Sequence, residues 1–384
     1  MSDSDISRLA MPKWGMSMTE ATMLTWLAAE GAEVTVGAAV AEVETEKING
    51  VVECTADGVL RRHVAQPGEV IPVGGLLGVI ADAAVPDAEI DTFIEAFQAS
   101  FVPGEEDGAG GPQPQTIELG TRSIRYVKHG DGDEVVVLLH GYGGDLENWM
   151  FLQPALTSGR SVYALDFPGH GGSSKDVGGG GVDDFAELVA GFIETINADR
   201  VHLVGHSMGG AIASAVALRR PEGVASLTLV ASAGLGQEIS EEYVEGFRTA
   251  QSRRELKPVL EMLFSDPSLV TRQLAETVLR YKRLDGVDDA LRAISEAMFA
   301  GGRQQRVLAS ELGGLSAPLL VIWGGDDRVI PAAHLEAAPA GAETVKLEGV
   351  GHSPHMEKAQ DVARLIDAFI QKSSSGPSQQ SSTN

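Results

Sequence analysis

The chain has 384 residues, of which 43% are hydrophobic, and carries a formal net charge of -25. Its length allows two to three domains of about 100 to 200 residues each, with enough apolar side chains for buried cores. The acidic balance disfavours nucleic acids and anionic membranes as partners, because both bind basic surfaces. Cys54 is the single cysteine, which excludes an internal disulfide and a cysteine-based zinc site, and we expect no bound metal. Acidic N-terminal residues and the lack of an apolar run of about 20 residues predict a cytoplasmic protein.

The first part of the sequence, residues 8–82, is typical of an all-β domain. Short Val-rich runs are broken there by Gly and Pro-Gly signals. Residues 33–40 resemble residues 69–76, and Lys47 falls between the two copies of this weak repeat. Two similar half-sheets joined by an exposed hairpin would place Lys47 at the tip, where a modifying enzyme could reach it.

Residues 83–114 have the composition of a linker, with four prolines and an acidic, Gly-rich stretch. One amphipathic segment interrupts it, because Ile90, Phe93, Ile94 and Phe97 recur at helical spacing. This spacing predicts a short helix over residues 87–100. The helix would either pack on its own chain or serve as a docking helix for a partner subunit.

From residue 115 to residue 371, buried strands alternate with helices, which predicts an α/β domain with a mainly parallel sheet. The apolar runs that predict strands are residues 134–139, 161–166, 201–204, 227–231 and 319–323. Strand signals vanish between about residues 236 and 302, where charged, helical sequence suggests an inserted helical cap. Residues 372–384 are rich in Ser, Gln and Pro and predict a disordered tail.

Ser207 is the candidate nucleophile of this α/β domain. It follows an apolar run and is flanked by Gly205 and Gly209, the small residues that a tight turn from strand to helix requires. A serine also needs a base, itself oriented by a carboxylate. His352 is the candidate base, and the candidate carboxylates are Asp326 and Asp327, which follow the preceding predicted strand.

The N-terminal residues resemble the lipoyl domains of 2-oxoacid dehydrogenase complexes. The resemblance covers residues 8–82 and rests on the opening at residues 11–20 and on the Glu-Thr-Glu-Lys sequence that ends at Lys47. Biotinyl domains have a similar architecture, but their lysine lies between two methionines, and neither neighbour of Lys47 is Met. The resemblance implies that Lys47 carries lipoate in amide linkage, whose dithiol holds an acyl group as a thioester.

Residues 116–371 resemble the α/β hydrolases, which use the order Ser, Asp, His for their catalytic residues. The resemblance implies that Ser207 is the nucleophile, that His352 is the general base and acid, and that Asp327 orients it, with Asp326 left as a solvated turn residue. It also implies an oxyanion hole made by the backbone N–H groups of Tyr142 and Met208. The other histidines of these motifs are expected to be structural or to line the pocket.

A lipoyl domain joined to an α/β-hydrolase domain resembles the family of acetyltransferase components of bacterial acetoin dehydrogenase complexes. The resemblance implies an acyltransferase that moves acetyl from Lys47 to coenzyme A, with a thiamine-diphosphate-dependent acetoin-cleaving component and dihydrolipoyl dehydrogenase as partners. The chain departs from ordinary acyltransferase components of such complexes, because it has neither their His-x-x-x-Asp-Gly motif nor a recognisable domain that binds peripheral subunits.

Two other functions remain open from the sequence. The same triad could serve a thioesterase or esterase that uses water, or the α/β domain could be a scaffold for a lipoyl carrier. Coenzyme A needs positive charge near its phosphates, and the best candidates lie in the cap at residues 280–283, with Arg253 and Arg254. We assign none of these as a site, because a solvated helix face is the commoner explanation of such residues.

Overall fold

The computed structural model describes residues 6–14, 18–45, 49–103 and 112–374. They belong to two compact units, Met1–Gly111 and Pro112–Asn384. Among the helices of these described segments, none is both long and apolar enough to cross a bilayer.

The described residues of the first unit form two four-stranded sheets, in the orders β1-β8-β6-β3 and β5-β4-β2-β7. The strands are β1 (Ile6–Ala10), β2 (Glu20–Trp26), β3 (Glu33–Val34), β4 (Ala39–Glu44), β5 (Asn49–Glu53), β6 (Gly58–His63), β7 (Val70–Pro72) and β8 (Leu76–Ala81). Each copy of the sequence repeat passes from one sheet to the other, in opposite directions. The first copy goes from β3 to β4, and the second goes from β7, in the sheet of β4, to β8, in the sheet of β3. Apolar side chains from both sheets, including Leu9, Met23, Val43 and Leu77, are completely buried in the core.

The hairpin between β4 and β5 is the place where the sequence puts the modifiable lysine. The two strands pair antiparallel, with Val43 opposite Gly50 and Glu44 opposite Asn49. Only residues 45–48 therefore connect the paired ends. Lys47 itself lies outside the described residues.

Helix α1 (Asp87–Ser100) packs on the first unit rather than standing free in a linker. Ile90 is completely buried, and Phe93, Ile94 and Phe97 pack with it against apolar residues of β8. Ion pairs join Asp87 to Arg61 at 2.7 Å and Asp91 to Arg62 at 3.4 Å. The amphipathic helix predicted from the sequence therefore packs on its own chain, and the folded part of the first unit includes α1.

The second unit contains an eight-stranded sheet in the order β16-β15-β14-β13-β11-β12-β10-β9. Strands β11 to β16 run parallel to one another. At one edge, β10 pairs antiparallel with β12, and β9 pairs antiparallel with β10. The bounds are β9 (Gln115–Leu119), β10 (Arg122–His129), β11 (Glu134–Leu139), β12 (Arg160–Leu165), β13 (Val201–His206), β14 (Val224–Val230), β15 (Leu319–Gly324) and β16 (Glu343–Leu347). This sheet confirms the α/β fold class predicted from the sequence.

Helices cover the sheet and form the cap. Those of the α/β body are α2 (Val182–Thr195), α3 (Met208–Arg219), α8 (Ala309–Leu312), α9 (Pro354–Glu357) and α10 (Ala359–Ser374). The cap helices are α4 (Glu241–Thr249), α5 (Arg253–Glu261), α6 (Arg272–Lys282) and α7 (Val287–Met298). They occupy the segment in which the sequence predicts an inserted cap.

The C-terminal helix corrects one sequence-based boundary. The tail was predicted to begin at residue 372, but α10 continues to Ser374. Phe369 and Ile370 are buried in its last turns, and Lys372 pairs with Glu343 of the neighbouring edge strand at 2.5 Å. Packing of the preceding turns therefore extends the helix into the polar sequence that follows them. Residues 375–384 of the predicted tail lie outside the described residues.

Candidate active site

Ser207 lies on a strained turn between β13 and α3. Its backbone has φ 51° and ψ -120°, a conformation that side-chain-bearing residues rarely adopt. A Cβ atom on Gly205 would lie 2.4 Å from the Gly209 carbonyl oxygen, and one on Gly209 would lie 2.2 Å from that of Leu139. Glycines on both sides of the serine are therefore required by close backbone contacts, which is the geometry of a nucleophile elbow.

His352 and Asp327 form a buried pair beyond the ends of β15 and β16. Nδ1 of His352 lies 2.8 Å from Oδ2 of Asp327, and neither side chain is more than 1% exposed. The carboxylate is fixed from several sides by the N–H donors Trp323 Nε1, Val329 N and Ile330 N, at 3.0, 2.8 and 2.9 Å. Asp327 therefore holds the His352 ring in one orientation, with Nδ1 toward the carboxylate.

Asp326, the neighbouring carboxylate, has a different environment. It is exposed, and its Oδ2 accepts a hydrogen bond from the Ser265 hydroxyl at 2.8 Å. The structure thus brings Asp327 to His352 and leaves Asp326 at the surface.

The elbow and the His352 loop are joined through His206. Its Nε2 lies 2.8 Å from the His352 carbonyl oxygen, and the two rings are 4.9 Å apart. Because a carbonyl only accepts, neutral His206 carries its proton on Nε2. Burial holds the pKa of His206 well below its usual value, so the ring is neutral at neutral pH. Among the described residues, His352 is bonded to Asp327 through Nδ1 and to His206 through its carbonyl oxygen, and no hydrogen bond joins it to the Ser207 hydroxyl.

His206 also contacts the loop that carries Tyr142. A Cβ atom on Gly141 would lie 2.9 Å from His206 Nδ1 and 3.1 Å from Ser207 Cβ. This side chain therefore packs between the elbow, the Tyr142 loop and the His352 loop. The sequence motif predicts a structural or pocket-lining histidine here but gives no sign of this link.

The backbone N–H groups of Tyr142 and Met208 are the oxyanion donors predicted from the sequence. In the described part of the chain, neither backbone N–H donates to another group. Two buried histidines fix the Tyr142 loop, since His140 Nδ1 donates to the Gly141 carbonyl at 2.7 Å and His170 Nε2 accepts from Gly143 N at 3.0 Å. Burial lowers the pKa of both rings, which keeps them neutral and able to make these bonds.

Helix α4 of the cap lies over the pair of His352 and Asp327. The N–H of its N-cap residue Ser240 donates to the Val329 carbonyl at 2.8 Å, and the Tyr243 hydroxyl donates to the Tyr142 carbonyl at 3.4 Å. The Tyr243 ring centre is 6.5 Å from that of His352. Sequence reasoning missed Tyr243, because no motif spacing connects a cap helix to these loops.

The basic residues suggested for coenzyme A lie beside acidic side chains in the structure. Lys282 is buried, its ammonium donates to the backbone carbonyls of Phe247 and Arg248, and burial lowers its pKa to about 8. It lines a cavity of about 360 Å³ together with Arg283 and three aspartates. Arg253 is paired with Glu276 at 3.7 Å. The cavity is lined by three carboxylates and two cations, so we assign no phosphate site there.

Comparisons with known proteins place these features in families. A model described as the alpha/beta hydrolase fold matches residues 134–359, and a model described as "Biotin-requiring enzyme" matches residues 7–80. A meta-cleavage product hydrolase from Pseudomonas fluorescens matches with a TM-score of 0.62 and 25% identity, over 67% of this chain and 97% of that one. The second unit is therefore an α/β hydrolase in fold, and the first is a domain of the biotinyl and lipoyl type.

Two curated relatives match along nearly the whole chain. Both are named dihydrolipoyllysine-residue acetyltransferase component of acetoin cleaving system. The relative from Pseudomonas putida is 47% identical over 96% of this chain and 100% of its own. That from Cupriavidus necator is 47% identical over 94% and 96%. The chain belongs to this family of acyltransferase components, which confirms the resemblance drawn from the sequence and the enzyme class expected from it.

Proposed function

We propose that the chain transfers an acetyl group from a lipoyl arm on Lys47 to coenzyme A through Ser207, His352 and Asp327. The observation that carries this proposal is the buried pair of His352 and Asp327, 2.8 Å apart, next to a nucleophile elbow in a chain that also contains a lipoyl-type domain. Neither element alone would suggest acyl transfer between thiols. Together they support acyl transfer from a carrier to an acceptor within one polypeptide.

The first unit fits a lipoyl attachment site on either side of Lys47. Strands β4 and β5 pair as far as Glu44 and Asn49, which flank residues 45–48. Val43 and Val52 of these strands lie in the buried core. A lysine that is to be modified needs strands that are firmly paired on both sides of it. Lipoate in amide linkage to Lys47 would supply a dithiol able to carry acetyl as a thioester.

The first half-reaction acylates Ser207. His352 takes the hydroxyl proton on Nε2 as the Oγ atom attacks the thioester carbonyl, while Asp327 stabilises the protonated ring. The Tyr142 and Met208 amides donate to the oxyanion that forms. The carbon–sulfur bond then breaks, and His352 returns the proton to the departing sulfur. The product is an acetyl ester on Ser207.

The second half-reaction regenerates the serine. His352 accepts the proton of the coenzyme A thiol, whose sulfur attacks the ester carbonyl, and the same amides hold the second oxyanion. The bond from carbon to Oγ breaks, and Oγ regains a proton from His352. Water is the competing nucleophile, but orientation of a bound thiol corresponds to effective molarities of about 10⁵ to 10⁸ M, which is enough to favour transfer.

We extend the proposal to the setting of the enzyme. A thiamine-diphosphate-dependent component would cleave acetoin and load the arm, and dihydrolipoyl dehydrogenase would reoxidise it. The name shared by the two relatives, a component of an acetoin-cleaving system, supports such an assembly. The cytoplasmic location expected from the sequence belongs to the same proposal.

Trapping the acyl-enzyme tests the proposed chemistry. Purified protein is mixed with S-acetyldihydrolipoamide without coenzyme A, quenched in acid and digested, and the peptide containing Ser207 is examined by mass spectrometry. We expect an acetyl group on Ser207 that disappears when coenzyme A is added before the quench. An acetyl group that persists in the presence of coenzyme A, or that is found on other residues only, would contradict the proposal.

A hydrolase is the second candidate, favoured by the similarity of the second unit to a meta-cleavage product hydrolase. A thioesterase or esterase would use the same residues with water as the second nucleophile. It would therefore form the same acetyl-Ser207, but would lose it to acetate at a rate independent of coenzyme A.

A further inference from the structure

We propose that Tyr243 determines the size of the acyl group that the enzyme accepts, restricting it to short chains such as acetyl. This inference rests on the proposed function, because it concerns the space in which the acyl group on Ser207 is held. Tyr243 belongs to the cap and to none of the motifs that carry the catalytic residues.

The position of Tyr243 is fixed from both ends of its helix turn. The N–H of Ser240, the N-cap residue of α4, donates to the Val329 carbonyl, two residues after Asp327. The Tyr243 hydroxyl donates to the Tyr142 carbonyl at 3.4 Å. Helix α4 therefore spans from the loop of the orienting carboxylate to the loop of the oxyanion donor, and the Tyr243 ring lies between them.

The same ring faces the general base. Its centre is 6.5 Å from that of His352, which itself is 1% exposed. Tyr243 thus contacts the residue whose amide would hold the acyl oxygen and approaches the ring that would move the proton. In the proposed mechanism, the acyl group on Ser207 lies between Tyr142 and His352. Its alkyl chain therefore meets the Tyr243 ring as the chain lengthens.

The ring cannot move aside easily, because it belongs to a dense aromatic cluster. The centre of the Phe247 ring lies 6.1 Å from that of Tyr243 and 5.7 Å from that of Tyr142. The centre of the Phe299 ring lies 6.0 Å from that of Tyr142. A Cβ atom on Gly143 would lie only 2.4 Å from the Phe247 ring. Interiors packed to this density resist insertion of additional methylenes, so each added carbon has to be accommodated by displacement of a ring.

The hydroxyl and the ring have separable roles. Burial raises the pKa of Tyr243 well above its usual value, so the hydroxyl stays protonated and donates to Tyr142 at any working pH. Removal of the hydroxyl weakens the hold on the Tyr142 loop but leaves the space filled. Removal of the ring opens the space. The two kinds of variant therefore change different quantities.

The test compares acetyl-, butyryl- and hexanoyl-dihydrolipoamide as acyl donors to coenzyme A. One methylene in an apolar pocket changes kcat/KM by about 10 to 200-fold, so wild type should prefer acetyl over hexanoyl by at least about 100-fold. Tyr243→Ala should reduce that preference by about 10-fold or more, mainly by accepting the longer donor. Tyr243→Phe should keep the preference and lower kcat for all donors by a few fold.

Two further variants keep the test decisive. Tyr243→Leu provides a smaller, apolar replacement if the alanine variant does not fold. Leu256→Ala removes a completely buried side chain from α5 instead of α4 and controls for general loosening of the cap. It should leave the acetyl-to-hexanoyl ratio as in wild type.

The outcomes separate this inference from the proposed function. Wild type that uses hexanoyl as well as acetyl, or a ratio that Tyr243→Ala and Tyr243→Leu leave unchanged, would overturn the role of Tyr243 while Ser207-dependent transfer still stood. The role of Tyr243 would also be overturned if Leu256→Ala shifted the acetyl-to-hexanoyl ratio as much as Tyr243→Ala does. Transfer that persists in Ser207→Ala would instead overturn the proposed function.

Discussion

The imidazole of His206 donates through Nε2 to the carbonyl oxygen of His352 at 2.8 Å. The residue before the proposed nucleophile thus holds the backbone of the proposed base. The bond does not involve the catalytic atoms themselves, so it can only act through the position of His352 relative to Ser207. His206 is accordingly a positioning residue.

We predict that His206→Gln retains much more activity than His206→Leu. A glutamine amide can place an N–H donor near the site of Nε2, whereas leucine offers none and leaves a buried carbonyl without its partner, at a cost of about 1–3 kcal/mol. Leucine should lower kcat by about 10-fold or more with a smaller change in KM, and glutamine should recover most of the loss. Equal kcat in the two variants, with matching thermal stability, would exclude the positioning role.

The two neighbouring aspartates provide a matched pair of variants. Asp327→Asn removes the charge that faces His352 Nδ1 and should lower kcat by about 10²- to 10⁴-fold, as expected for loss of the orienting carboxylate. Asp326→Asn, at an exposed position one residue earlier, should stay within a few fold of wild type. Steady-state transfer to coenzyme A measures both. The reverse order of effects would reassign the acid.

A pH prediction follows from His202, which lies in β13. Burial lowers its pKa to about 4 from an ordinary 6.5, and its Nδ1 lies 2.8 Å from the Ser226 hydroxyl. The unfolded chain therefore binds a proton that the folded chain rejects. Stability is unaffected above pH 6.5 and falls by up to about 1.4 kcal/mol per pH unit between pH 6.5 and 4 because of this group alone.

The variant His202→Asn should flatten this acid slope. Urea unfolding is followed at several pH values by helical circular dichroism, to which the second unit contributes α2 to α10. The free energy of unfolding of the variant minus that of wild type should be about 2 kcal/mol more favourable to the variant at pH 5 than at pH 7.5. Parallel pH profiles for the two proteins would show that His202 is not the group responsible.

The carrier lysine and the triad can be tested separately. Lys47→Arg keeps a positive charge but removes the amine to which lipoate would be attached. It should abolish lipoylation, seen as the loss of a mass increment on the intact protein, and abolish acetoin-dependent acetyl-CoA formation in the assembled complex. Transfer from free S-acetyldihydrolipoamide should remain within a few fold of wild type. A mass increment that survives in this variant would place the modification elsewhere.

The sequence predicted the parts of the fold that depend on local pattern. Continuous apolar runs predicted β11 to β15, because strands covered on both faces have few polar residues. The edge strands β9, β10 and β16 were missed, since β9 and β16 alternate exposed and half-buried positions that resemble loop sequence. Packing on the sheet also extends α10 to Ser374, beyond residue 372, where the polar composition predicts the tail to begin.

The candidate site shows the same division. Motif order points to Ser207, to His352 and to the pair Asp326 and Asp327, because each follows the end of a strand in one sheet and such ends meet at one edge. The choice of Asp327 over Asp326 comes from the resemblance to the α/β hydrolases. Motif order gave no indication of Tyr243 or of the bond from His206 to His352. Those contacts join segments far apart in the chain, and only the packing of the cap on the loops creates them.

The central claim is tested most directly by supplying wild type and Ser207→Ala with S-acetyldihydrolipoamide, with and without coenzyme A, and quantifying acetyl-CoA and acetate. We predict that wild type forms acetyl-CoA in preference to acetate and that the alanine variant loses this activity by about 10³-fold or more. Serine-dependent acetate formation regardless of coenzyme A would show a hydrolase instead. Equal acetyl-CoA formation by the two proteins would contradict the triad mechanism and leave the second unit as a scaffold for a lipoyl carrier.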